Sequence, residues 1–178
     1  MKKTLFLIFL ILPLLHACST QRTTTLYGLS VPGLEQFQVV TGVDTSVLSL
    51  NNITIEIGYI GAMTREEAEL QLQKKSELIH GLYTNMPNPY PGLISDEIVC
   101  GEEFKPELVL NGTELYIEGY VTPRRTFGAC SFDLIAYRAF VRYLYCNGNL
   151  VYIKGFVPLN DTHSSEIAKQ IVGATSCP

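Results

Sequence analysis

Two histidines outside the N-terminal twenty residues are the first candidates for chemistry. His163 lies in Asn160-Asp161-Thr162-His163-Ser164-Ser165, which combines an imidazole, a carboxylate and hydroxyls, the groups that serine-type hydrolases use. The same residue types are typical of a helix N-terminus, where they cap backbone N–H groups. His80 ends a predicted helix, where an imidazolium interacts favourably with the helix dipole. Because the chain contains no hydrolase, metalloprotease, P-loop or dinucleotide-binding motif, we expect no enzyme activity, and a hydrolase using His163 is the less favoured alternative.

The first twenty residues predict export from the cytoplasm. Lys2 and Lys3 precede an apolar run that ends at Leu15. This run has the length of a signal-peptide core and is shorter than the roughly 20 residues that span a bilayer. We therefore predict that residues 1–17 are a cleaved signal peptide.

Leu15-His16-Ala17-Cys18 resembles the lipobox of bacterial lipoproteins, in which the cysteine receives a lipid and becomes the first mature residue. The resemblance covers residues 1–20 and implies that acylated Cys18 anchors the protein to a membrane. In Gram-negative members of the family an aspartate after the cysteine favours the inner membrane. Ser19 occupies this position, which implies the outer membrane, with the protein facing the periplasm.

The charged residues of the chain are mostly acidic. The chain has 17 acidic and 13 basic residues, and loss of the two signal lysines would leave a formal net charge of −6, which argues against nucleic acid as a partner.

Four cysteines remain after Cys18, namely Cys100, Cys130, Cys146 and Cys177. An even number in an oxidising compartment predicts two disulfides, and the absence of C-x-x-C spacing argues against a metal site, so we expect no metal and no cofactor.

The remaining pattern predicts one α+β domain at residues 34–178, behind a lipidated flexible tether at residues 18–33 that is rich in Ser, Thr and Gly. Candidate strands are 36–41, 47–50, 53–57, 93–99, 107–110, 113–121, 135–146 and 149–157. Asn-Asn or Asn-Gly pairs connect three pairs of these strands as hairpins. A capping box at Thr64-Arg65-Glu66-Glu67 starts a long helix that we expect to end near His80. Helical spacing of apolar residues over 164–172 predicts a short C-terminal helix, and the sheet is expected to be antiparallel.

The direction of the hairpin strands selects one disulfide pairing out of three. A strand from Ile135 to Cys146 is roughly 40 Å long, so Cys130 before it cannot reach Cys146, because the Cα atoms of a disulfide lie within about 7 Å. The strand at 149–157 runs back from Cys146 and the helix at 164–172 runs in the opposite direction again, so Cys177 lies beside Cys146. Cys100 precedes the strand at 107–110 and lies at the same end of the sheet as Cys130. We therefore predict Cys100–Cys130 and Cys146–Cys177.

Tyrosines and arginines supply the candidate binding residues. In the last hairpin, strand alternation places Tyr137, Val141, Tyr143, Tyr145 and Tyr152 on one face, and Arg138, Phe140, Arg142, Leu144, Val151 and Ile153 on the other. One interpretation is a central strand pair covered on both faces; the other is an exposed aromatic patch of the kind that anchors interfaces. Further candidates are Tyr90 in the proline-rich loop at 85–92 and Arg124 and Arg125 before Cys130, where a connector and a solvated loop are the simpler explanations.

These patterns favour a non-enzymatic binding or assembly protein of the bacterial envelope, with a protein partner, as an accessory part of an envelope or secretion complex. The alternative among binding proteins is a periplasmic inhibitor of a lysozyme-like enzyme, for which the loop at 85–92 would be the inhibitory element. The order of a hairpin, a long helix, antiparallel strands and a closing helix resembles the PsbP-type fold. A similarity of fold by itself implies no function.

Overall fold

The computed structural model describes residues 25–85, 106–121 and 137–178. Several predicted features lie outside these residues: the signal and lipobox with Cys18, Tyr90 and its proline-rich surroundings, the strand at 93–99, Cys100, Arg124, Arg125, Cys130, and the side chain of His80.

Two antiparallel sheets account for the described strands. A small hairpin pairs β1 (Thr25–Leu26) with β2 (Leu29–Ser30). The main sheet contains β3 (Gln38–Thr41), β4 (Thr45–Leu50), β5 (Ile53–Ala62), β6 (Glu107–Asn111), β7 (Glu114–Val121), β8 (Tyr137–Cys146) and β9 (Asn149–Pro158). Its spatial order is β3-β4-β5-β9-β8-β7-β6, and each neighbouring pair is antiparallel. Thus β3 and β6 are the two edges among the described strands, and β9 lies at the centre.

The predicted hairpin turns are confirmed. Asn147 and Gly148, between β8 and β9, have φ values of 51° and 84°, as a type I′ turn requires at both central positions. Asn51 and Gly112 also have positive φ values, 52° and 55°. Asparagine and glycine tolerate this conformation better than other residues, which is why these turns can be found from the sequence.

The described part contains one long and one short C-terminal α-helix, so the fold is α+β. α1 (Arg65–Asn85) begins at the predicted capping box: the Thr64 N–H donates to Glu67 Oε2 at 2.7 Å, and the Glu67 N–H donates to Thr64 Oγ1 at 3.2 Å. It ends five residues later than predicted, because one glycine at position 81 costs only about 1 kcal/mol and does not stop a helix. α2 (Thr162–Ala174) closes the chain.

The helices lie on opposite faces of the main sheet. α1 packs against β6, β7 and β8, and we call this side of the sheet the α1 face. α2 packs against β5, β8 and β9 on the other side, the α2 face. Each face has its own buried apolar cluster, one including Leu72 and Val141 and the other including Phe140 and Ile153. The last hairpin is therefore covered on both faces.

The folded part begins before the predicted boundary at residue 34. Leu29 is fully buried and Val31 is 2% exposed, both within the α2-face cluster, so residues 25–33 are not a flexible tether. Tyr27 and Gly28, with φ values of 52° and 75°, make the tight turn between β1 and β2. The Ser, Thr and Gly content of this segment predicted a tether, but its few apolar residues are buried in the α2-face cluster.

The C-terminal tail is fixed at three points. Cys177 forms a disulfide with Cys146, with the Cα atoms 5.4 Å apart, which confirms this predicted pair. Ser30 and Ser176 exchange two backbone hydrogen bonds of 2.8 and 3.2 Å. Arg142 on β8 donates to the carbonyl oxygens of residues 173 and 175, at the end of α2. The described residues thus contain one disulfide and not the two expected, since Cys100 and Cys130 lie outside them.

Candidate functional site on the open half of the sheet

The structure places the candidate tyrosines at different depths. Tyr143 is 4% exposed and belongs to the same buried cluster as Leu72 and Ile79 of α1. Burial, with smaller contributions from neighbouring groups, raises the pKa of Tyr143 well above its ordinary value. Tyr145 is partly buried and donates its hydroxyl to the Met63 carbonyl at 3.2 Å, whereas Tyr137 is 37% exposed. The centre of this aromatic face is therefore packed under α1.

The arginines of the same hairpin lie on the α2 face in ion pairs. Arg142 Nε lies 2.6 Å from Glu114 Oε1. Arg138 contacts Glu118, a carboxylate only 7% exposed that also accepts from Lys169 at 2.8 Å. Burial raises the pKa of Glu118, but the hydrogen bonds and charges of Lys169 and Arg138 outweigh burial and leave this pKa below its ordinary value. These contacts join α2 to β7 and β8, so the arginines and the buried tyrosines do not form one surface.

The residues around His163 act as a helix cap. Asp161 accepts a hydrogen bond from the Ser164 N–H at 2.9 Å and from the Ser164 hydroxyl at 2.8 Å. Asn52, in the turn between β4 and β5, donates to the same carboxylate at 2.9 Å. These hydrogen bonds lower the pKa of Asp161, that of Asn52 contributing most. His163 is exposed while Ser164 is buried, so the serine hydroxyl is directed to the aspartate.

α1 covers the part of the α1 face toward β6 and leaves the part toward β3 more exposed. In the row formed by Val141, Lys154, Glu56, Val47 and Val40, from β8 to the β3 edge, neighbours are directly opposite each other. Val141 is fully buried, Val47 is 37% exposed and Val40 is 72% exposed. Burial falls along the row because α1 packs over β6, β7 and β8. We define the open half of the sheet as the α1 face of β5, β4 and β3.

A small polar cluster occupies the border between α1 and the open half. Glu56 Oε1 accepts from the Tyr152 hydroxyl at 2.7 Å and lies 3.3 Å from Lys154 Nζ. Lys154 Nζ also lies 4.3 Å from the centre of the Tyr152 ring. On the helix side, Lys75 Nζ lies 4.9 Å from the centre of the Tyr143 ring. Burial and the hydrogen bond to Glu56 raise the pKa of Tyr152 to about 12, so its hydroxyl stays a donor at neutral pH.

Gly58 allows Tyr152 to lie flat on the sheet. The two residues are opposite each other on β5 and β9, and a Cβ atom at position 58 would overlap the Tyr152 Cζ and hydroxyl oxygen. A side chain at position 58 would therefore displace the Tyr152 ring, and the glycine leaves room for it. The Tyr152 hydroxyl can then reach Glu56.

The β3 edge is exposed and uncharged. All four residues of Gln38–Thr41 are exposed, and Val39 and Val40 are 42% and 72% exposed. Val43, in the turn to β4, is 93% exposed. Natural edge strands are often protected by charged residues or proline, and β3 contains neither.

Sequence reasoning missed the β3 edge and the polar cluster. Lys75 was detectable, because it follows Leu72 by three positions and precedes Ile79 by four, which places it on the buried stripe of α1. The exposure of β3 was not detectable, because its sequence does not show whether a strand is central or at an edge.

No family model matches the chain, and no curated protein is similar to it in sequence. Within the described ranges, no group of three or more His, Cys, Asp and Glu side chains is arranged to hold a metal ion. No helix among the described residues is long and apolar enough to cross a membrane.

Proposed function

We propose that this protein is a non-enzymatic binding or assembly module of the bacterial envelope. Acylated Cys18 holds it at the outer membrane, facing the periplasm, and a second disulfide, Cys100–Cys130, completes the domain. The observation that carries the proposal is the β3 edge, where four consecutive exposed residues carry no charge.

The occupant of this edge is an extended segment of another envelope protein, added as a further strand. An edge strand presents unpaired N–H and C=O groups on its outer side, so a partner strand gains a ladder of backbone hydrogen bonds there. Val39 and Val40, on opposite faces of β3, supply apolar contacts to alternate side chains of the partner. The other edge, β6, starts with Glu107 and carries a charge that β3 lacks.

The contacts of the possible catalytic residues support a binding role. The Ser164 hydroxyl donates to the helix-capping Asp161 while His163 is exposed. A serine hydrolase needs the serine hydroxyl bonded to the imidazole that removes its proton.

Site-specific photocrosslinking in intact envelopes tests the proposal. A photoreactive phenylalanine is placed at Val40 and, as the matched control, at Val109 on the other edge, which is 60% exposed. We expect one protein to crosslink at position 40 and not at position 109, with the crosslink mapped by mass spectrometry to an extended segment of that protein. The Cys18→Ser variant should lose this crosslink, because the protein no longer resides at the membrane.

Charge substitution provides a second readout. A probe at Val47, directly opposite Val40 on β4, should give the same crosslink. Val40→Lys should abolish this crosslink, because a lysine on the edge opposes strand addition, whereas Val109→Lys should leave it unchanged. Equal crosslinking from both edges, or a crosslink that survives Val40→Lys, would refute the proposed docking edge.

A further inference from the structure

Lys75 is a cation on the inner side of α1. The neighbouring residues on its stripe, Leu72 and Ile79, are both fully buried, and Lys75 itself is partly buried. Its ammonium group lies over the Tyr143 ring at 4.9 Å. Burial and, to a smaller extent, the charge of Lys154 lower the pKa of Lys75, as expected for a cation removed from water beside another cation.

Among the described residues, no carboxylate forms an ion pair with Lys75. The positions three and four residues away on α1 are Gln71, Leu72, Leu78 and Ile79, none of them acidic. The helix carboxylates that form hydrogen bonds have other partners: Glu69 pairs with Arg65, Glu77 accepts from Gln73, and Glu67 belongs to the capping box.

The nearby carboxylate on the sheet is already shared. Glu56 Oε1 accepts from the Tyr152 hydroxyl and pairs with Lys154. Lys75, Lys154 and Glu56 together carry one excess positive charge on partly buried side chains. A partly buried charge is unfavourable unless an opposite charge compensates it.

We propose that Lys75 and Lys154 bind an oxyanion, the carboxylate or phosphate group of a ligand, where α1 meets the open half of the sheet. Each ammonium group lies over one of two neighbouring tyrosine rings, that of Lys75 over Tyr143 and that of Lys154 over Tyr152, and the ring centroids are 6.2 Å apart. Both ammonium groups have donors to spare, since each carries three N–H bonds. One excess charge matches a monoanion, so a carboxylate fits the site better than a dianionic phosphate.

Titration of the lysine side chains by NMR tests this site. Sodium acetate and sodium phosphate are added in separate arms to the full mature protein, with ionic strength held constant by sodium chloride. We expect the ε-CH₂ signals of Lys75 and Lys154 to shift and saturate, with acetate binding more tightly than monohydrogen phosphate. Saturation by phosphate alone would still support the site and would assign it to phosphate groups.

Matched variants separate this site from general charge attraction. Lys75→Gln and Lys154→Gln should each weaken binding by about tenfold, or about 1.4 kcal/mol, whereas Lys74→Gln, on the exposed side of the same helix, should leave the affinity unchanged. Shifts that stay linear with anion concentration, or that are equal at Lys74 and Lys75, would overturn the proposal. If Lys75→Gln fails to fold, the decision rests on Lys154→Gln. This result is independent of the β3 crosslink.

Discussion

Removing the disulfide to the C-terminal tail should strongly destabilise the domain. The cleanest change is Cys177→Ala, because Cys177 is exposed while Cys146 is buried at 3% exposure. The substitution deletes the crosslink and leaves the buried sulfur of Cys146 in place. It therefore measures the crosslink with little change in core packing.

The loop length sets the size of the effect. Cys146 and Cys177 are separated by 31 residues. In the chain-entropy account, closing a loop of this length removes about 12 cal/mol/K from the unfolded chain, or about 3.7 kcal/mol at 25 °C. The tail's other contacts, including the Ser30–Ser176 pairing, belong to the folded state and are retained. We therefore expect the free energy of unfolding to fall by about 3–4 kcal/mol.

Urea unfolding followed by circular dichroism measures this difference. The mature protein is compared with Cys177→Ala and with Ser176→Ala, a control at a neighbouring exposed residue that keeps the backbone pairing with Ser30. The control should change stability by less than about 0.5 kcal/mol. A loss below about 1 kcal/mol in Cys177→Ala would refute the loop-entropy reasoning, and would mean that the unfolded chain gains little freedom when the crosslink is absent.

Three further substitutions test the packing of the sheet and of α2. Gly58→Ala should destabilise the protein by about 1–3 kcal/mol, because its Cβ would displace the Tyr152 ring, whereas Gly173→Ala, whose Cβ would meet nothing within 4 Å, should stabilise it by about 0.5–1 kcal/mol. Denaturant unfolding checks both, and a neutral Gly58→Ala would contradict the close contact. Glu118→Gln should lower stability by about 2–3 kcal/mol at neutral pH, below the usual range for a buried pair because Arg138 and Lys169 are partly exposed. The folded pKa of Glu118 lies below its ordinary value of 4.5, so this contribution is complete above pH 4.5 and is lost as pH falls through the folded pKa. Unfolding measured from pH 7 to pH 3 should therefore show wild type and Glu118→Gln converging, and a constant difference would argue against the ion pairs.

Features that depend on a few neighbouring residues were predicted from the sequence. The capping box positioned the start of α1, and the asparagine and glycine turns positioned three hairpins, because these motifs act through hydrogen bonds and φ preferences within four residues. Alternation along β8 and β9 separated the two faces of the last hairpin correctly. Strand direction was sufficient to pair Cys146 with Cys177. The lipid anchor and the outer-membrane location remain predictions.

The tertiary structure decided which of these residues are accessible. Pairing of β5 with β9 joins residues far apart in sequence, such as Ile57 and Ile153, and no local pattern encodes that neighbourhood. This pairing, with α1 placed over β6 to β8, buries Tyr143 and leaves Val40 exposed at the edge, although both lie in strands of similar apolar character. Tertiary packing also places Leu29 and Val31 in the α2-face cluster and Lys75 over the Tyr143 ring. The sequence alone determined the helix start and the hairpin turns, because these depend on interactions between residues close together in the chain. Burial depends on how all the strands and helices pack together, so only the tertiary structure decided it.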